Sequence, residues 1–448
     1  YYKEQQRLYG KADFYSMDPF HEGGSVKDVD LRAAGEAIMR EMKRVNPAAV
    51  WVAQSWQECP YPDMISSLHN GDMLVLDINS ETQPQWGDPD SSWKRVDGFS
   101  GHDWAFCMLL NFGGNVGMYG KLQHVIDEYY KARDSRFATT LRGVGLTMEG
   151  IENNPVMYEL VTELPWRQHR FDWQEWLRSY VTARYGVAAN AKVQEAWLLL
   201  ARSVYGASAK VAEQGCHESV LCARPALDVY QVSSWSMMEE YYNPDDVIRA
   251  ARLMVEASHE MPANANFRYD LVDVTRQAIA EQARLVYDEV VAAYRAKDRR
   301  MFAHASQRFL DILLQQDRLL SSMPGFMVGS WIGQARTLGT TADERDRYEW
   351  NARVQITTWG NREAAERGRL REYAHKEWSG VLRDFYYPRW KTYFEALAAT
   401  FDGSPMQPID FYAMDEKWTL QHNAYPCTAQ GDAVEFAQEA FRKVFDTD

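Results

Sequence analysis

The sequence predicts α/β structure followed by all-α structure: the C-terminal part of a (β/α)8-type barrel over residues 1–165, then an α-helical domain over residues 166–448. Three observations point there. Five short apolar runs in the first part are each bounded by Gly, Pro, Asn or Asp, as strands are. Helical periodicity lies between several of them, the alternation that builds a parallel sheet. Past Pro165-Trp166 the apolar spacing is helical, and no strand pattern is convincing.

The runs, in order, are Asp13–Met17, Ala49–Trp56, Met73–Asn79, Trp104–Phe112 and Val144–Met148. Their continuous apolar character fits parallel strands covered on both faces. Leu31, Ala34, Ile38, Met42 and Val45 make one helical stripe, stopped by Asn46-Pro47. Met118 to Arg133 makes a second. The later helices fall at about 172–185, 191–205, 244–260, 269–297, 299–320, 342–358, 364–400 and 432–445. Five strands leave an eight-stranded barrel three short. The expectation is that the native protein supplies these upstream of Tyr1 or on another chain.

Composition narrows the function. The chain has 448 residues, 46% hydrophobic and 25% charged, which is globular and long enough for two or three domains. Its net charge of −14, with no Lys/Arg cluster, removes the usual electrostatic basis for nucleic-acid binding. No apolar run approaches membrane-spanning length. Cys59, Cys107, Cys216, Cys222 and Cys427 form no CxxC, and no repeated Cys/His cluster suggests zinc. Pairing of Cys216 with Cys222 stays open. No G-x-S-x-G elbow is present, which argues against an α/β-hydrolase.

Polar residues gather just after the apolar runs. They are Asp18-Pro19-Phe20-His21-Glu22, Trp56-Gln57-Glu58, Ser80-Glu81, Asn111 with Gly113-Gly114-Asn115, and Glu149-Gly150. In (β/α) barrels the chemistry sits at these C-terminal strand ends. Glycoside hydrolysis needs two carboxyls facing one bond, and Glu22 and Glu149 each follow a strand and precede a glycine. Taken alone, each is as well read as a solvated or helix-starting residue. Trp56, Trp86, Trp93, Trp104, Trp235 and Trp359 are candidate sugar platforms, although core packing is the better explanation for each taken singly.

A family resemblance is carried by Glu149-Gly150-Ile151-Glu152-Asn153-Asn154 behind Gly143-Val144-Gly145, and by Asn111-Phe112-Gly113-Gly114-Asn115. Val50 to Trp56, Leu74-Val75-Leu76-Asp77, Phe267 to Leu271, Thr275 to Ala278, Gly329-Ser330-Trp331, Gln355 to Gly360 and Tyr386 to Trp390 continue it in register. The chain resembles the α-N-acetylglucosaminidases, glycoside hydrolase family 89, over nearly its whole length.

That resemblance implies a retaining exo-glycosidase that releases terminal α-linked N-acetylglucosamine without a cofactor. It implies Glu22 as acid/base and Glu149 as nucleophile, with Glu22 the less acidic of the two. Trp56, Cys107, Asn111, His217, Trp359 and Tyr373 match sugar-pocket positions, the last two lent by the helical domain. His21 stands where some members carry Asn, and can still hydrogen-bond a sugar. The rival reading is a non-catalytic glycan-binding protein on the same scaffold. The partner expected is a glycan ending in α-linked N-acetylglucosamine. The missing sequons and a glycan substrate lead to the expectation of an exported bacterial protein, periplasmic or on the cell surface, before a lysosomal one.

Overall fold

A computed structural model describes residues 1–89, 95–150, 153–186, 190–208, 218–234, 236, 238, 240–261 and 263–446. By its contacts the chain forms two units. The first holds Tyr1–Leu110, Lys121–Glu149 and Pro155–Phe171; the second holds Asn111–Gly120, Gly150–Asn154 and Asp172–Asp448.

The first unit runs α1 (Tyr2–Tyr9), β1 (Phe14–Ser16), α2 (Leu31–Val45), β2 (Val50–Ser55), α3 (Pro62–Ile65), β3 (Met73–Asp77), β4 (Asp103–Met108), α4 (Leu122–Arg133), β5 (Leu141–Leu146) and α5 (Pro155–Glu163). The strands form one sheet in the order β1-β2-β3-β4-β5, all neighbours parallel. A parallel neighbour can be reached only by crossing back, which the intervening helices and loops do. Helix α2 shows how locally this is set. The Asp30 carboxylate accepts the Ala33 N–H at 3.0 Å, Lys43 and Arg44 occupy the negative C-terminal end, and the Asn46 amide donates to Ala12 O at 2.8 Å. Gly35 lets α2 lie against α3, since a Cβ there would stand 2.1 Å from Met64 O.

Four strands fall inside the apolar runs or within one residue of them; the fifth does not. It starts at Leu141, three residues early, because Arg142 interrupts the run while pairing with Asp103 at 2.6 Å. The fourth strand stops at Met108 because Leu110 adopts a left-handed φ of 67° and turns the chain away. Only β4 is buried almost throughout; β2 and β3 alternate buried and half-buried residues, so the expectation of strands covered on both faces holds for β4 alone. Among the described residues β1 pairs with β2 alone and β5 with β4 alone.

The second unit runs α6 (Trp173–Tyr185), α7 (Ala191–Arg202), α8 (Pro244–Ala257), α9 (Ala265–Arg295), α10 (Arg299–Leu320), α11 (Val328–Thr337), α12 (Ala342–Gln355), α13 (Tyr387–Thr400), α14 (Phe411–Thr419) and α15 (Ala433–Phe445). Helix α9 is the spine, packed against α8, α10 and α15. Met118 to Lys121 do not begin α4: the Met118 and Tyr119 N–H groups are taken by Gln277 Oε1 and Asn154 Oδ1, both at 3.0 Å. The single helix expected over 364–400 is absent. Residues 363–367 and 382–386 are π-helical turns, and 368–381 form an irregular strap before α13. The strap leaves the helix because Glu372, His375, Lys376 and Glu377 are all buried, on partners that lie in different directions. The apolar spacing does not predict helices α1, α3, α5, α11 and α14; α5 opens on Pro155, which suits a first helical turn.

One of those partners is Arg276 of α9, 1% exposed. Its guanidinium donates to Asp273 at 2.7 and 2.9 Å and to Glu377 at 2.9 Å; Gln316 adds 3.1 Å to the other Glu377 oxygen. Charges withdrawn from water are tolerated only when paired and hydrogen-bonded in this way. Arg276→Met strands two carboxylates in the core and should lower unfolding free energy by about 3–5 kcal/mol. A urea titration followed by tryptophan fluorescence reads this directly, and an unchanged midpoint would contradict it.

Candidate functional site

After β1, the Asp18 carboxylate accepts the Gln54 N–H at 2.6 Å and Met17 O accepts the Trp51 indole N–H at 2.7 Å, which docks the loop on β2. Burial raises the Asp18 pKa, against the help of that N–H. Gly24 N–H then returns to His21 O at 2.7 Å, with Gly23 left-handed at φ 80°. This tight turn sets Glu22 out into solvent, next to a half-buried His21 whose Nε2 has no partner among the described residues. After β2, Trp56 and Cys59 close a turn by reciprocal backbone bonds of 3.1 and 3.0 Å, leaving Trp56 half-buried. Glu149, three residues past β5, is exposed.

The ends of β3 and β4 are closed instead of open. Asp77 accepts the Ser55 hydroxyl at 2.9 Å and the Gln85 and Trp86 N–H groups at 2.8 and 3.0 Å. Glu81 accepts both the Leu109 and Leu110 N–H groups at 2.9 and 2.8 Å through one oxygen; its other oxygen is buried without a partner among the described residues. Burial pushes Asp77 up to about 6 and Glu81 up to about 7. Cys107 is wholly buried, and burial pushes its thiol far up. Gly145 on β5 is there for that sulfur: a Cβ at 145 would stand 2.5 Å from it. Trp86 and Trp104 stack at 5.7 Å in the core, so both are packing residues.

In the second unit, Trp359 and Tyr373 meet edge to face at 5.0 Å, and both rings are half-buried. The strap behind them is strained. Trp359, Arg369 and Glu372 have φ of 60°, 57° and 58°, at about 1–3 kcal/mol each for non-glycine residues. Several anchors offset this. Trp359 N–H reaches Val354 O and Glu372 N–H reaches Thr357 O, both at 2.7 Å. The fully buried Glu372 carboxylate accepts from Arg389, which also donates to Asp415. His375 Nδ1 lies 3.0 Å from Glu372 O and 3.6 Å from Glu218; burial drives His375 down and Glu218 up despite their attraction. Asn111, wholly buried, donates to Asn115 O at 2.7 Å. Gly113 packs directly on the strap, since a Cβ there would meet Tyr373 O at 2.0 Å.

Of the expected residues, then, Glu22, His21, Trp56, Cys107 and Glu149 frame the strand ends of the first unit, and Asn111, Trp359 and Tyr373 gather in the second. His217, Cys216, Trp93 and Trp235 lie outside the described residues, as do Ile151 and Glu152; Cys222 is a buried free thiol. Glu81, Glu372 and Lys376 carry the architecture; the sequence signal for the last two is three charges and a histidine packed into the short, otherwise apolar stretch from Glu372 to Trp378. One acidic cluster, Asp346, Glu349 and His422, has ligand atoms within 4.8 Å of one another. Arg353 and Arg336 already hold the two Glu349 oxygens at 2.7 and 2.5 Å, so protein cations occupy the place of a metal.

Comparison with known proteins follows the same division. Residues 1–168 match the family described as the alpha-N-acetylglucosaminidase (NAGLU) tim-barrel domain, and residues 176–443 its C-terminal domain. Human alpha-N-acetylglucosaminidase is 33% identical over 461 residues, covering 99% of this chain and 59% of the human protein. A family 89 glycoside hydrolase from Clostridium perfringens, in complex with PUGNAc, matches with a TM-score of 0.91 and 31% identity, over 99% of this chain and 50% of that one. A form of that enzyme with two glutamates changed to glutamine, bound to its substrate GlcNAc-alpha-1,4-galactose, gives 0.90 and 30% over 98% and 50%. The chain thus spans about half the length of these relatives.

The raised carboxyls make the first unit sensitive to pH. Between pH 4.5 and 7 the folded Glu81 keeps a proton that the unfolded chain releases, so stability falls as pH rises through that window. Asp77 acts in the same direction up to about pH 6. Urea midpoints measured across this range should fall with pH, and Glu81→Gln, which keeps the accepting oxygen, should flatten the slope. An equally steep slope in the variant would refute the assignment.

Proposed function

Because the chain belongs to the alpha-N-acetylglucosaminidase (NAGLU) family, we propose that it carries the catalytic glutamates of a retaining exo-glycoside hydrolase acting on terminal α-linked N-acetylglucosamine. The observation that carries this reading is the position of Glu22 and Glu149. They follow β1 and β5, the two edges of a five-stranded parallel sheet. In a flat sheet four strand spacings would part them by about 19 Å. Curled into an eight-stranded barrel, strands four apart face each other across the mouth, where two side chains can close on one sugar. Three further strands would complete that ring. The two glutamates substituted in the substrate-bound bacterial enzyme are separated along its chain by a span similar to that from Glu22 to Glu149.

In this mechanism the Glu149 carboxylate attacks the anomeric carbon while Glu22 protonates the departing glycosidic oxygen. The bond to the aglycone breaks, and a β-linked glycosyl-enzyme forms. Glu22, now ionised, takes a proton from water as that water displaces Glu149, and the α-configured sugar leaves. Retention calls for carboxyls about 5–5.5 Å apart. Trp56 in the first unit, and Trp359 and Tyr373 in the second, are each half-buried rings of the kind that stacks on the apolar face of a sugar. His21, Asn111 and His217 complete the proposed contacts; Cys107 is wholly buried with its sulfur against Gly145, so it packs β4 on β5 and does not touch the sugar. The same reading makes the partner a glycan with terminal α-linked N-acetylglucosamine and puts the protein outside the cytoplasm, where such glycans are met. No described helix is long and apolar enough to cross a membrane.

Glu149→Ala should cut turnover of an aryl α-N-acetylglucosaminide by about a thousandfold or more, roughly 4 kcal/mol of barrel-site barrier. Azide should restore it and give the β-glycosyl azide, by direct inversion. Glu22→Ala with azide should give the α-glycosyl azide instead, through the intact Glu149 intermediate. Wild-type turnover in Glu149→Ala, or the two azide anomers exchanged, would overturn the assignment of roles.

A further inference from the structure

Within the second unit, one buried cation joins two segments that are more than 250 positions apart. Lys376 is 5% exposed. Its ammonium donates to Gly114 O and, at 3.4 Å, to Gly113 O, and it lies 5.5 Å over the Trp378 ring. Those carbonyls belong to the loop that follows β4 and carries Asn111. Gly113 and Gly114 are both left-handed, at φ 64° and 61°. That backbone turns two successive carbonyls toward one point; Asn111 and Asn153 hold the far side of the loop by donating to Asn115 O at 2.7 and 3.2 Å, and Lys376 holds the glycine side. An ammonium with three donors fits this acceptor pair. Asn111 Oδ1, in the same loop, is buried with no partner among the described residues.

We propose that Lys376 is a positioning residue of the sugar site, fixing the Asn111 loop against the strap that bears Tyr373. The proposal rests on Asn111, Trp359 and Tyr373 being sugar contacts. Trp359 and Tyr373 have their own restraint through Glu372 and Arg389, so loss of the ammonium releases the loop and leaves the aromatic pair in place. The consequence is selective. Asn111 contacts would weaken in ground state and transition state alike, raising KM and sparing kcat.

The test uses the full-length protein with Lys376→Met, which keeps the apolar stem, and Lys376→Gln, which keeps one donor. Hydrogen exchange at the amides of 111–117 should quicken about tenfold in Lys376→Met with α9 and α10 unchanged. KM for an aryl α-N-acetylglucosaminide should rise about tenfold with kcat within about threefold, and Lys376→Gln should fall between variant and wild type. Unchanged exchange in the loop, or faster exchange throughout the unit, overturns the proposal. So does a loosened loop with unaltered KM, or failure of both variants to fold, since Lys376 would then serve the whole unit. A wild-type protein without turnover would sink the proposed function instead, and the exchange measurement would still decide whether Lys376 clamps the loop.

Discussion

A polar or charged side chain taken out of water must be met by a partner, and the strap from Glu372 to Glu377 meets that demand for three charges and one histidine. Glu372 goes to Arg389 of α13, His375 toward Glu218, Lys376 to the Gly113 and Gly114 carbonyls, and Glu377 to Arg276 of α9. A regular helix would set Glu372, His375 and Lys376 on one face, three and four residues apart, whereas their partners lie in separate places. The chain therefore abandons helical geometry over 368–381 and takes up left-handed residues at 369 and 372. Because these anchors are buried, removing one partner costs more than breaking a surface pair of equal length.

The first unit applies the same rule to backbone donors. Asp77 and Glu81 gather N–H groups that have no strand partner once β3 and β4 have ended, and they fix the directions in which the following loops depart. Closed, buried strand ends at β3 and β4 contrast with open, solvent-facing ones at β1 and β5. Groups that must react need access to solvent and substrate; groups that must hold a loop are best kept from both.

Much of this was legible in the residues. The parallel sheet, the position of α2 to the residue, and the switch to helices after Pro165 follow from apolar spacing, because burial imposes a period of its own on each element. Where the reading slipped, a tertiary partner outweighed the local pattern. Arg142 hid the start of β5 by pairing with Asp103. Gln277 and Asn154 took the N–H groups that would have begun α4 at Met118. The strap was mistaken for helix because its charges resemble a solvated helical face, and only the distant Arg389, Gly114 and Arg276 reveal that they point inward. The carboxylates at 22 and 149 were visible as polar residues after apolar runs, but their pairing came from resemblance and not from spacing.

The contact between Gly145 and the Cys107 sulfur has a practical corollary. Position 107 can hold a bulky atom only while 145 stays bare, so the two sites constrain one another's evolution across β4 and β5. The same fit seals that thiol from reagents, as burial does for Cys59 and Cys222. Of the four described thiols, Cys427 alone faces water, a native handle in the second unit for attaching a spectroscopic label without altering a single residue.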